Sequence, residues 1–141
     1  KEAWDAFQRY GQAFSLMLID VDHFKNINDK YGHHAGDLIL VKIADILRAN
    51  LRSSDVIARW GGEEFLIFLP ELNLHESYWV AEKIRKAISS FNFYCEGVDI
   101  SVTITAGIAD IRDCTSVEHC IHSADKKLYR GKAEGRNAII K

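Results

Sequence analysis

The feature that most constrains the fold of this chain is a pair of glycines between two short apolar runs. Gly61 and Gly62 separate Asp55–Ala58 from Leu66–Leu69. Two strand-like runs joined through such a pair predict a β-hairpin, because only glycine adopts positive φ angles without a steric cost. We therefore expect an antiparallel pair of strands with both glycines at its tip.

Two carboxylates, Glu63 and Glu64, directly follow the glycines. Adjacent carboxylates at a tight turn repel each other, and a plain hairpin gains nothing from them. A bare glycine backbone also lets a bulky ligand approach, and glutamate oxygens are hard ligands that suit a divalent metal with phosphates. Taken alone, the stretch is better explained as an exposed acidic hairpin, so the choice depends on the remaining sequence.

Composition and charge indicate one globular domain of ordinary size. The 141 residues are 48% hydrophobic and 27% charged, which is enough to bury a core. The net charge of -2 gives no bulk reason to expect contact with nucleic acid or a membrane surface. No apolar run approaches the ~18 residues of a membrane span. Because the chain begins inside a helical pattern, we expect it to be part of a longer protein.

The cysteines bear on redox state and on a zinc alternative. Cys95, Cys114 and Cys120 are odd in number and form no Cys-x-x-Cys, which suits reduced cytosolic thiols better than a disulfide framework. His119 and His122 lie close to Cys120, but the spacing matches no common zinc finger. We interpret these residues as parts of an amphipathic helix and keep zinc as the weaker alternative.

Apolar periodicity predicts strands that alternate with helices. Phe14 to Ile19 is a nearly continuous apolar run, typical of a strand buried on both faces, and Ile100 to Ile108 alternates like a strand with one buried face. Helical spacing predicts helices at 1–10, 23–31, 36–51, 80–91 and 117–128, with a turn at 32–34 and a last short strand at 137–140. Together with the hairpin, this order predicts an α/β fold in which helices flank a mixed central sheet.

Asp20 is a carboxylate at the end of a buried strand. Such a group is costly unless it is paired, hydrogen-bonded or bound to metal. Other polar residues have a simpler interpretation as helix caps, namely Asp22, Asp37, and Thr115 with Glu118 at capping-box spacing. If the first strand lies beside the hairpin, Asp20 and Glu63 meet above the sheet and could hold Mg²⁺.

Positive charge is available near these carboxylates. Lys25 follows the first strand, and a basic cluster near the C-terminus contains Lys126, Lys127, Arg130, Lys132 and Arg136. Lysine and arginine beside a Mg²⁺ site suit a triphosphate. The sequence therefore predicts phosphoryl or nucleotidyl transfer, in which catalysis is mostly positioning and charge stabilisation.

Several separated motifs, in one order across nearly the whole chain, follow the pattern of a known family. The residues that carry the pattern are Asp20-Val21-Asp22-His23-Phe24-Lys25-Asn26-Ile27-Asn28-Asp29, Gly32-His33 with Gly36-Asp37, Arg59-Trp60-Gly61-Gly62-Glu63-Glu64-Phe65, Thr103-Ile104-Thr105-Ala106-Gly107-Ile108, Ala124-Asp125, Leu128-Tyr129, Lys132 and Gly135-Arg136-Asn137. In these motifs the chain resembles the GGDEF family, the diguanylate cyclases, in a Gly-Gly-Glu-Glu-Phe variant. A lone Gly-Gly-Glu-Glu-Phe would carry far less weight.

The resemblance implies a fold akin to nucleotide cyclases and polymerase palm domains, with the hairpin at the active site. It implies condensation of two GTP molecules into cyclic di-GMP with release of two pyrophosphates, assisted by Mg²⁺ or, as an alternative, Mn²⁺. It also implies that residues 1–141 form a single GGDEF domain, the C-terminal part of a longer regulated protein. The opening Asp-x-Leu-Thr of most members is absent, and Glu63 replaces Asp, a variant found in active members.

The resemblance also implies roles for individual residues. Asp20 and Glu63 would bind Mg²⁺, with the Val21 carbonyl as a backbone ligand. Glu63 would help deprotonate the ribose 3′-hydroxyl that attacks the α-phosphate, and Lys25 would stabilise charge on the phosphates. Further substrate contacts are implied for Phe24, His33, Gly61, Gly62 and Glu64, and for Lys132 and Arg136 at the outer phosphates.

Asn28 and Asp37 would read guanine, as the resemblance implies. Guanine offers N1–H and an exocyclic amine on one edge, and a carboxylate can accept from both, whereas adenine offers no such pair. Relatives that make mixed adenine-guanine products carry Ser at the position of Asp37. Aspartate here favours GTP and disfavours the adenine-specific alternative.

An inhibitory site for the product is implied by Arg52 and Asp55, which form the family's Arg-x-x-Asp pattern ahead of the hairpin. A guanidinium suits the N7 and O6 acceptors of guanine. Some relatives complete that site with an arginine on the following helix, where this chain has Lys83. Lysine cannot form the same fork, so product binding should be less tight.

One GTP per half-site implies a two-fold dimer in the active form, with dimerisation taken from an upstream sensory or receiver region. We expect the domain to be cytoplasmic and to contact neither nucleic acid nor membrane, although the full-length protein could be membrane-anchored. The alternative from a different class is a non-catalytic module that senses GTP or binds cyclic di-GMP through Arg52 and Asp55. Degenerate relatives of that kind usually lose a metal ligand or a hairpin glycine, and this chain retains both.

Overall fold

Seven strands and four helices make up residues 12–141, the part of the chain that this computed structural model describes. The strands are β1 (Phe14–Val21), β2 (Val56–Arg59), β3 (Glu64–Pro70), β4 (Phe93–Cys95), β5 (Val98–Ile100), β6 (Ile104–Asp110) and β7 (Ile139–Ile140). The helices are α1 (Phe24–Tyr31), α2 (His33–Ala49), α3 (Leu74–Ser90) and α4 (Val117–Ala133), with a 3₁₀ turn at Ile111–Asp113. The helix predicted at 1–10 lies outside the described residues.

The central sheet has the strand order β2–β3–β1–β6–β7. Neighbouring strands are antiparallel from β2 to β6, whereas β7 pairs parallel with β6. β4 and β5 form a separate hairpin. This arrangement confirms the predicted α/β architecture, with helices flanking a mixed sheet and the β2–β3 hairpin beside the first strand.

β1 is buried over its whole length because helices cover both faces of the sheet. Side chains alternate along a strand, so Met17 and Ile19 join a core with α1, α2 and α3, while Leu16 and Leu18 join a core with α4. Each such side chain contributes about 1.5–3 kcal/mol when fully buried. The continuous apolar run thus places Asp20, near its end, on a rigid support.

α4 lies directly on the backbone of β6 at Gly107. A Cβ atom at this position would stand 2.1 Å from the carbonyl oxygen of Ala124. Only glycine allows so close an approach of helix and strand. The contact fixes the distance between α4 and the sheet. It thereby also fixes the position, relative to the sheet, of the residues near the end of that helix.

The single half-buried strand predicted from Ile100 to Ile108 is wrong in two respects. β5 ends at Ile100 and pairs with β4, and the sheet resumes only at Ile104. All seven residues of β6 are buried, because α3 and α4 pack on its opposite faces. The small residues that alternate with the apolar ones in β6 therefore face a packed helix and not solvent.

Two predicted caps near the start of the chain are also wrong. The N-cap of α1 is His23 rather than Asp22, and it has a left-handed φ of 56°. α2 begins at His33, so the turn predicted at 32–34 is made by Gly32 alone, with φ of 92°. Asp37 therefore lies inside the helix instead of capping it.

The later helices also begin differently from the prediction. α3 begins at Leu74 instead of 80, behind a full capping box of Asn73 and Glu76. α4 is capped by Ser116, whose hydroxyl accepts a hydrogen bond from the His119 amide, so the predicted box of Thr115 and Glu118 is wrong by one position.

Among residues 12–141, every helix is too short or too polar to cross a lipid bilayer.

Candidate active site

Asp20 stands at the end of β1 with its carboxylate held by a lysine. The residue is only 6% exposed and faces Glu64 of β3 and Thr105 of β6 across the sheet. Lys132 Nζ lies 2.5 Å from Asp20 Oδ2, which compensates a charge that burial alone would make costly. The buried carboxylate is therefore paired with a cation from the C-terminal end of α4.

The β2–β3 hairpin brings Glu63 beside Asp20. The Val21 amide donates to the Glu63 carbonyl at 3.2 Å, which extends the β1–β3 pairing to the hairpin tip. Burial and the neighbouring Asp20 carboxylate raise the pKa of Glu63, against the lowering effect of Lys132. A carboxyl group whose charge is disfavoured in this way gains from a nearby cation.

The glycines at the tip serve a purpose other than the one predicted. Among the glycines of residues 12–141, positive φ angles occur at Gly32, Gly97 and Gly135 but not at Gly61 or Gly62. The tip is closed by the Trp60 amide, which donates to the Glu64 carbonyl at 2.9 Å, and by Arg59 Nη2, which donates to the Gly62 carbonyl at 2.7 Å. Apart from its chain neighbours Gly61 and Glu63, no residue has a heavy atom within 4 Å of where a Gly62 Cβ would stand. Gly62 thus leaves open space beside the carboxylates.

Glu64 shares the electrostatic environment of the site from β3. Burial and Asp20 raise the pKa of this carboxyl group, Lys132 opposes them, and Asp125 of α4 adds a smaller rise. A Cβ on Gly61 would stand 2.9 Å from Glu64 Oε1, so the glycine gives this side chain room.

A cleft of about 320 Å³ opens at this end of the sheet. It combines two carboxylates with three basic side chains, and its wall is formed by Asp20, Val21, His23, Phe24, Lys25, Asn26, Glu63, Lys132 and Arg136. Val21, which is part of this wall, is only 1% exposed. The structure thus brings together the residues predicted to bind metal and phosphate, which come from β1, α1, the hairpin, the end of α4 and the segment after α4.

Asn28 lies outside that wall, on α1, and its side chain is unsatisfied. Oδ1 is buried and has no hydrogen-bond partner. It packs over Gly36 of α2, where a Cβ would stand only 1.9 Å away. A buried carbonyl oxygen without a donor costs free energy, so the position suits a ligand that supplies one. Gly36, which the sequence analysis names only as part of a motif, is thus the residue that makes room for the Asn28 side chain.

Asp37 and His33 are exposed on the first turns of α2, outside the wall of the cleft. Asp37 directly follows Gly36, the residue that Asn28 packs over. The roles of Asp37 and His33 in substrate binding stay predictions.

The predicted inhibitory site is a separate cavity of about 510 Å³, lined by Arg48, Leu51, Arg52, Ser53, Asp55 and Ile57. Arg52 Nη2 lies 2.7 Å from Asp55 Oδ1, and the same nitrogen donates to the Pro70 carbonyl at 2.8 Å. The Asp55 side chain is 2% exposed and that of Arg52 is 46% exposed. Lys83 is exposed on α3 and does not line this cavity.

Asp22 has a role that the sequence analysis missed. Its buried carboxylate accepts from the hydroxyls of Thr103, at 2.7 Å, and Thr105, at 2.6 Å. It also accepts from the backbone amide of Asn137, at 3.0 Å. The partners lie 81 to 115 residues away in the sequence, which is why local patterns suggested a helix cap instead.

The residues weighed for zinc are parts of α4 and of the segment before it. Cys120 is fully buried in the core, and Cys114 packs against that core. The ring of His119 accepts from the Thr115 amide at 3.0 Å through Nδ1. Within residues 12–141, no three His, Cys, Asp or Glu side chains converge closely enough to hold a metal by themselves.

Comparisons with known proteins agree on one family. A family model described as diguanylate cyclase, GGDEF domain, matches residues 1–138. Diguanylate cyclase A of Treponema denticola is 40% identical over 129 residues, which is 91% of this chain and 35% of that protein. The chain therefore spans about a third of the length of this curated relative.

Solved structures resemble the fold closely. The GGDEF domain of DgcB from Caulobacter crescentus in complex with c-di-GMP has a TM-score of 0.94 at 29% identity, over 99% of this chain and 83% of that one. The active GGEEF domain of a diguanylate cyclase from Vibrio cholerae has a TM-score of 0.92 at 28% identity, over 99% and 89%. Given the family match over residues 1–138, the chain belongs to the GGDEF domain family of diguanylate cyclases.

Proposed function

We propose that this domain condenses two GTP molecules into cyclic di-GMP and releases two pyrophosphates. The observation that carries the proposal is the cleft at the end of β1, which combines Asp20 and Glu63 with Lys25, Lys132 and Arg136. Carboxylates suit a divalent metal and clustered cations suit phosphates, so a metal-bound polyphosphate satisfies both sets. Membership of the family and a relative named diguanylate cyclase support GTP as that polyphosphate.

Asp20 and Glu63 fit Mg²⁺ by their chemistry. Mg²⁺ takes one or two carboxylates, keeps several waters and shares phosphate oxygens with its substrate. The Val21 carbonyl, on the wall of the same cleft, would complete the protein ligands, and Mn²⁺ could use the same oxygens. When bound, the ion would neutralise charge on the phosphates and lower the pKa of the attacking hydroxyl.

Lys25, Lys132 and Arg136 would bind the phosphates. Arg136 offers a planar fork to the outer phosphate oxygens, and the ammonium of Lys132 already lies beside Asp20, where it can bridge carboxylate and phosphate. Lys25 would stabilise the charge that develops as the pyrophosphate leaves. Phe24, on the same wall, and the open backbone of Gly61 and Gly62 would shape the space for the nucleotide.

Guanine would be read at the α1–α2 contact. The buried Oδ1 of Asn28 has no partner and would accept a hydrogen bond from the exocyclic amine or N1–H of guanine. Asp37 would accept from the other donor of that edge, with His33 and Glu64 as further substrate contacts. Adenine has an acceptor at N1 and no amine at C2, so it could not donate to both Asn28 and Asp37, and a buried acceptor left unsatisfied costs about 1–3 kcal/mol.

The chemistry is two equal transfers. The 3′-oxygen of one GTP forms a bond with the α-phosphorus of the other, the bond to the pyrophosphate oxygen breaks, and the hydroxyl proton passes to Glu63 or to a water that it holds. A second transfer with the roles exchanged closes the ring.

The active form would be a two-fold dimer. At about 320 Å³ the cleft lies at the small end of ligand pockets and suits one nucleotide, whereas the reaction needs two in opposite orientation. We expect a sensory or receiver region upstream to bring two domains together. The domain itself would act in the cytoplasm on GTP, without contacting membrane or nucleic acid.

Product would inhibit the enzyme at Arg52 and Asp55. The nearly buried Asp55 carboxylate orients an exposed guanidinium beside a cavity of about 510 Å³, which suits the acceptor edge of guanine. Lys83 lies outside that cavity and offers a point charge instead of a fork, so we expect moderate rather than tight product binding.

Product analysis by mass spectrometry tests the proposal. Purified protein is incubated with GTP and Mg²⁺ at several protein concentrations, and we expect cyclic di-GMP that rises faster than linearly with protein. Failure to form product at any concentration calls for fusion to a dimeric coiled coil and a repeat of the assay. A fused dimer that binds GTP without turnover would overturn the cyclase and support a nucleotide-sensing module instead.

A further inference from the structure

The segment after α4 holds its backbone in a rarely adopted conformation. Gly135, Arg136 and Asn137 have consecutive positive φ angles of 120°, 64° and 47°. Glycine adopts this region freely, but a non-glycine residue there costs about 1–3 kcal/mol and persists only where its surroundings hold it. Two such residues in a row, one of them in the wall of the cleft, call for a structural cause.

The end of α4 accounts for the first of these residues. The Arg136 amide donates to the Gly131 carbonyl at 2.9 Å, across a positive-φ Gly135, which is the geometry of a Schellman helix end. That motif requires left-handed backbone only at Gly135. It does not explain why Arg136 and Asn137 follow in the same region.

Asn137 is held from two sides by residues that the reaction does not use. Its backbone amide donates to Asp22 Oδ2 at 3.0 Å, and its side-chain Oδ1 accepts from Arg85 Nη1 at 2.9 Å. Asp22 is 4% exposed and is itself fixed by hydroxyls of the β6 strand and the residues before it. The left-handed residue after Arg136 is therefore attached both to the end of β1 and to α3.

Arg85 is pre-oriented for this contact. Its guanidinium forms two hydrogen bonds with Glu82 on the same helix, at 2.5 Å from Nη2 and 3.0 Å from Nε, which leaves Nη1 directed at Asn137. Both side chains of the ion pair are mostly buried, at 18% and 14% exposed. A bidentate pair of this kind fixes the plane of the guanidinium.

We propose that Asn137 is a positioning residue for Arg136, held in place by Arg85 and Asp22. The chain of contacts connects α3, β1 and the end of α4, and it fixes the backbone from which the Arg136 side chain enters the cleft. A guanidinium already aimed at the outer phosphates binds them without the cost of ordering a loop. The proposal rests on the proposed function only in taking a pyrophosphate group as the ligand of Arg136.

Calorimetric titration with magnesium pyrophosphate tests this role without turnover. Asn137→Gly keeps a residue that tolerates the left-handed backbone but removes the acceptor for Arg85, and we expect about tenfold weaker binding. Arg85→Lys keeps a cation beside Glu82 but loses the fork, so it should weaken binding in the same direction. Asn92→Gly, at an exposed asparagine before β4, is the matched control and should bind as the unmodified protein does.

A double-mutant cycle separates positioning from general structure. In an Arg136→Ala background, Asn137→Gly should weaken pyrophosphate binding no further, because the residue that it positions is already gone. Equal weakening in both backgrounds, or unchanged binding by Asn137→Gly alone, would overturn the proposal. Unmodified protein that binds pyrophosphate but forms no cyclic di-GMP would remove the proposed activity and leave the positioning role standing, provided that the cycle shows coupling.

Discussion

Lys132 and Asp20 form an ion pair across 112 residues of sequence, with Nζ 2.5 Å from Oδ2. The Asp20 side chain is 9% exposed, so its charge needs a partner whether or not a metal is bound. Mg²⁺ would approach the same carboxylate. We therefore expect the lysine to compensate Asp20 when no ion is bound and to share this carboxylate with Mg²⁺ when one is.

Lys132→Gln should destabilise the metal-free protein by about 1–2 kcal/mol, because it leaves a buried carboxylate uncompensated. Mg²⁺ should then restore more stability to the variant than to the unmodified protein. Thermal unfolding in EDTA and in excess Mg²⁺ measures both effects. Arg130→Gln, which removes an exposed pair with Glu134 at 3.8 Å, is the control and should change little. Equal Mg²⁺-induced shifts in Lys132→Gln and unmodified protein would contradict the shared-carboxylate explanation.

Glu63→Gln should abolish turnover and leave the fold intact. The amide preserves the shape of the side chain but loses the negative charge for Mg²⁺ and the ability to accept the hydroxyl proton, a loss of at least about 10²–10⁴-fold in rate. Product formation by mass spectrometry and circular dichroism measure the two outcomes. Full activity in this variant would refute the metal-site proposal.

The raised pKa of Glu63 predicts how the free energy of unfolding depends on pH. Burial and Asp20 raise the pKa of Glu63 in the folded protein above its ordinary value of 4.5. Because its pKa is raised, Glu63 binds its proton more tightly in the folded state than in the unfolded state. This tighter binding contributes fully to the free energy of unfolding below the ordinary pKa of 4.5, and the contribution is lost as pH rises through the raised pKa of the folded state.

Urea unfolding in EDTA between about pH 4 and pH 8 measures this effect. Glu63→Gln carries no charge at any pH, so relative to unmodified protein it should become more stable as pH rises. With saturating Mg²⁺ the difference should reverse, because the ion favours the ionised carboxylate. A difference that stays constant across the pH range in EDTA would show that Glu63 is not held as the structure indicates.

Gly36→Ala should impair GTP binding without harming the fold. Alanine favours a helix interior by up to about 1 kcal/mol over glycine, but its Cβ would stand 1.9 Å from Asn28 Oδ1 and must displace that side chain. We expect about a fivefold to tenfold rise in the KM for GTP, equal to the loss of one hydrogen bond. Adding Asn28→Ala should cause no further rise. An additive effect would mean that Gly36 acts through some other contact.

The features that could be predicted from the sequence are those that depend on local residue patterns and on burial, namely the central strand and the hairpin. The apolar run before Asp20 gave a central strand because both faces of the sheet are covered, and the glycine pair gave the hairpin that carries Glu63. The reason given for the glycines was wrong, since neither has a positive φ. The apolar runs on both sides of the glycines are enough to predict that a hairpin forms. The backbone angles at its tip depend instead on the hydrogen bonds that Arg59 and Glu64 make there.

Contacts between distant segments could not be predicted in this way. Asp22 has the residue type and position of a helix cap, and only the folded chain shows its partners in β6 and after α4. Asn28 and Gly36 meet because α1 and α2 pack together, and Arg85 reaches Asn137 across 52 residues. Such residues look ordinary in sequence because their function depends on a neighbour that tertiary packing supplies.

Arg52→Ala should relieve inhibition by cyclic di-GMP and leave the initial rate unchanged. The guanidinium, now shared between Asp55 and the Pro70 carbonyl, is the fork that would bind the guanine acceptor edge, and its loss should raise the inhibition constant at least about tenfold. Progress curves with added cyclic di-GMP measure it. Arg112→Ala is a matched control, because Arg112 is 51% exposed, pairs with a 6% exposed Asp110 and does not line the Arg52 cavity. Inhibition that is unchanged in Arg52→Ala, or equally relieved in Arg112→Ala, would rule out the Arg52 cavity as a regulatory site.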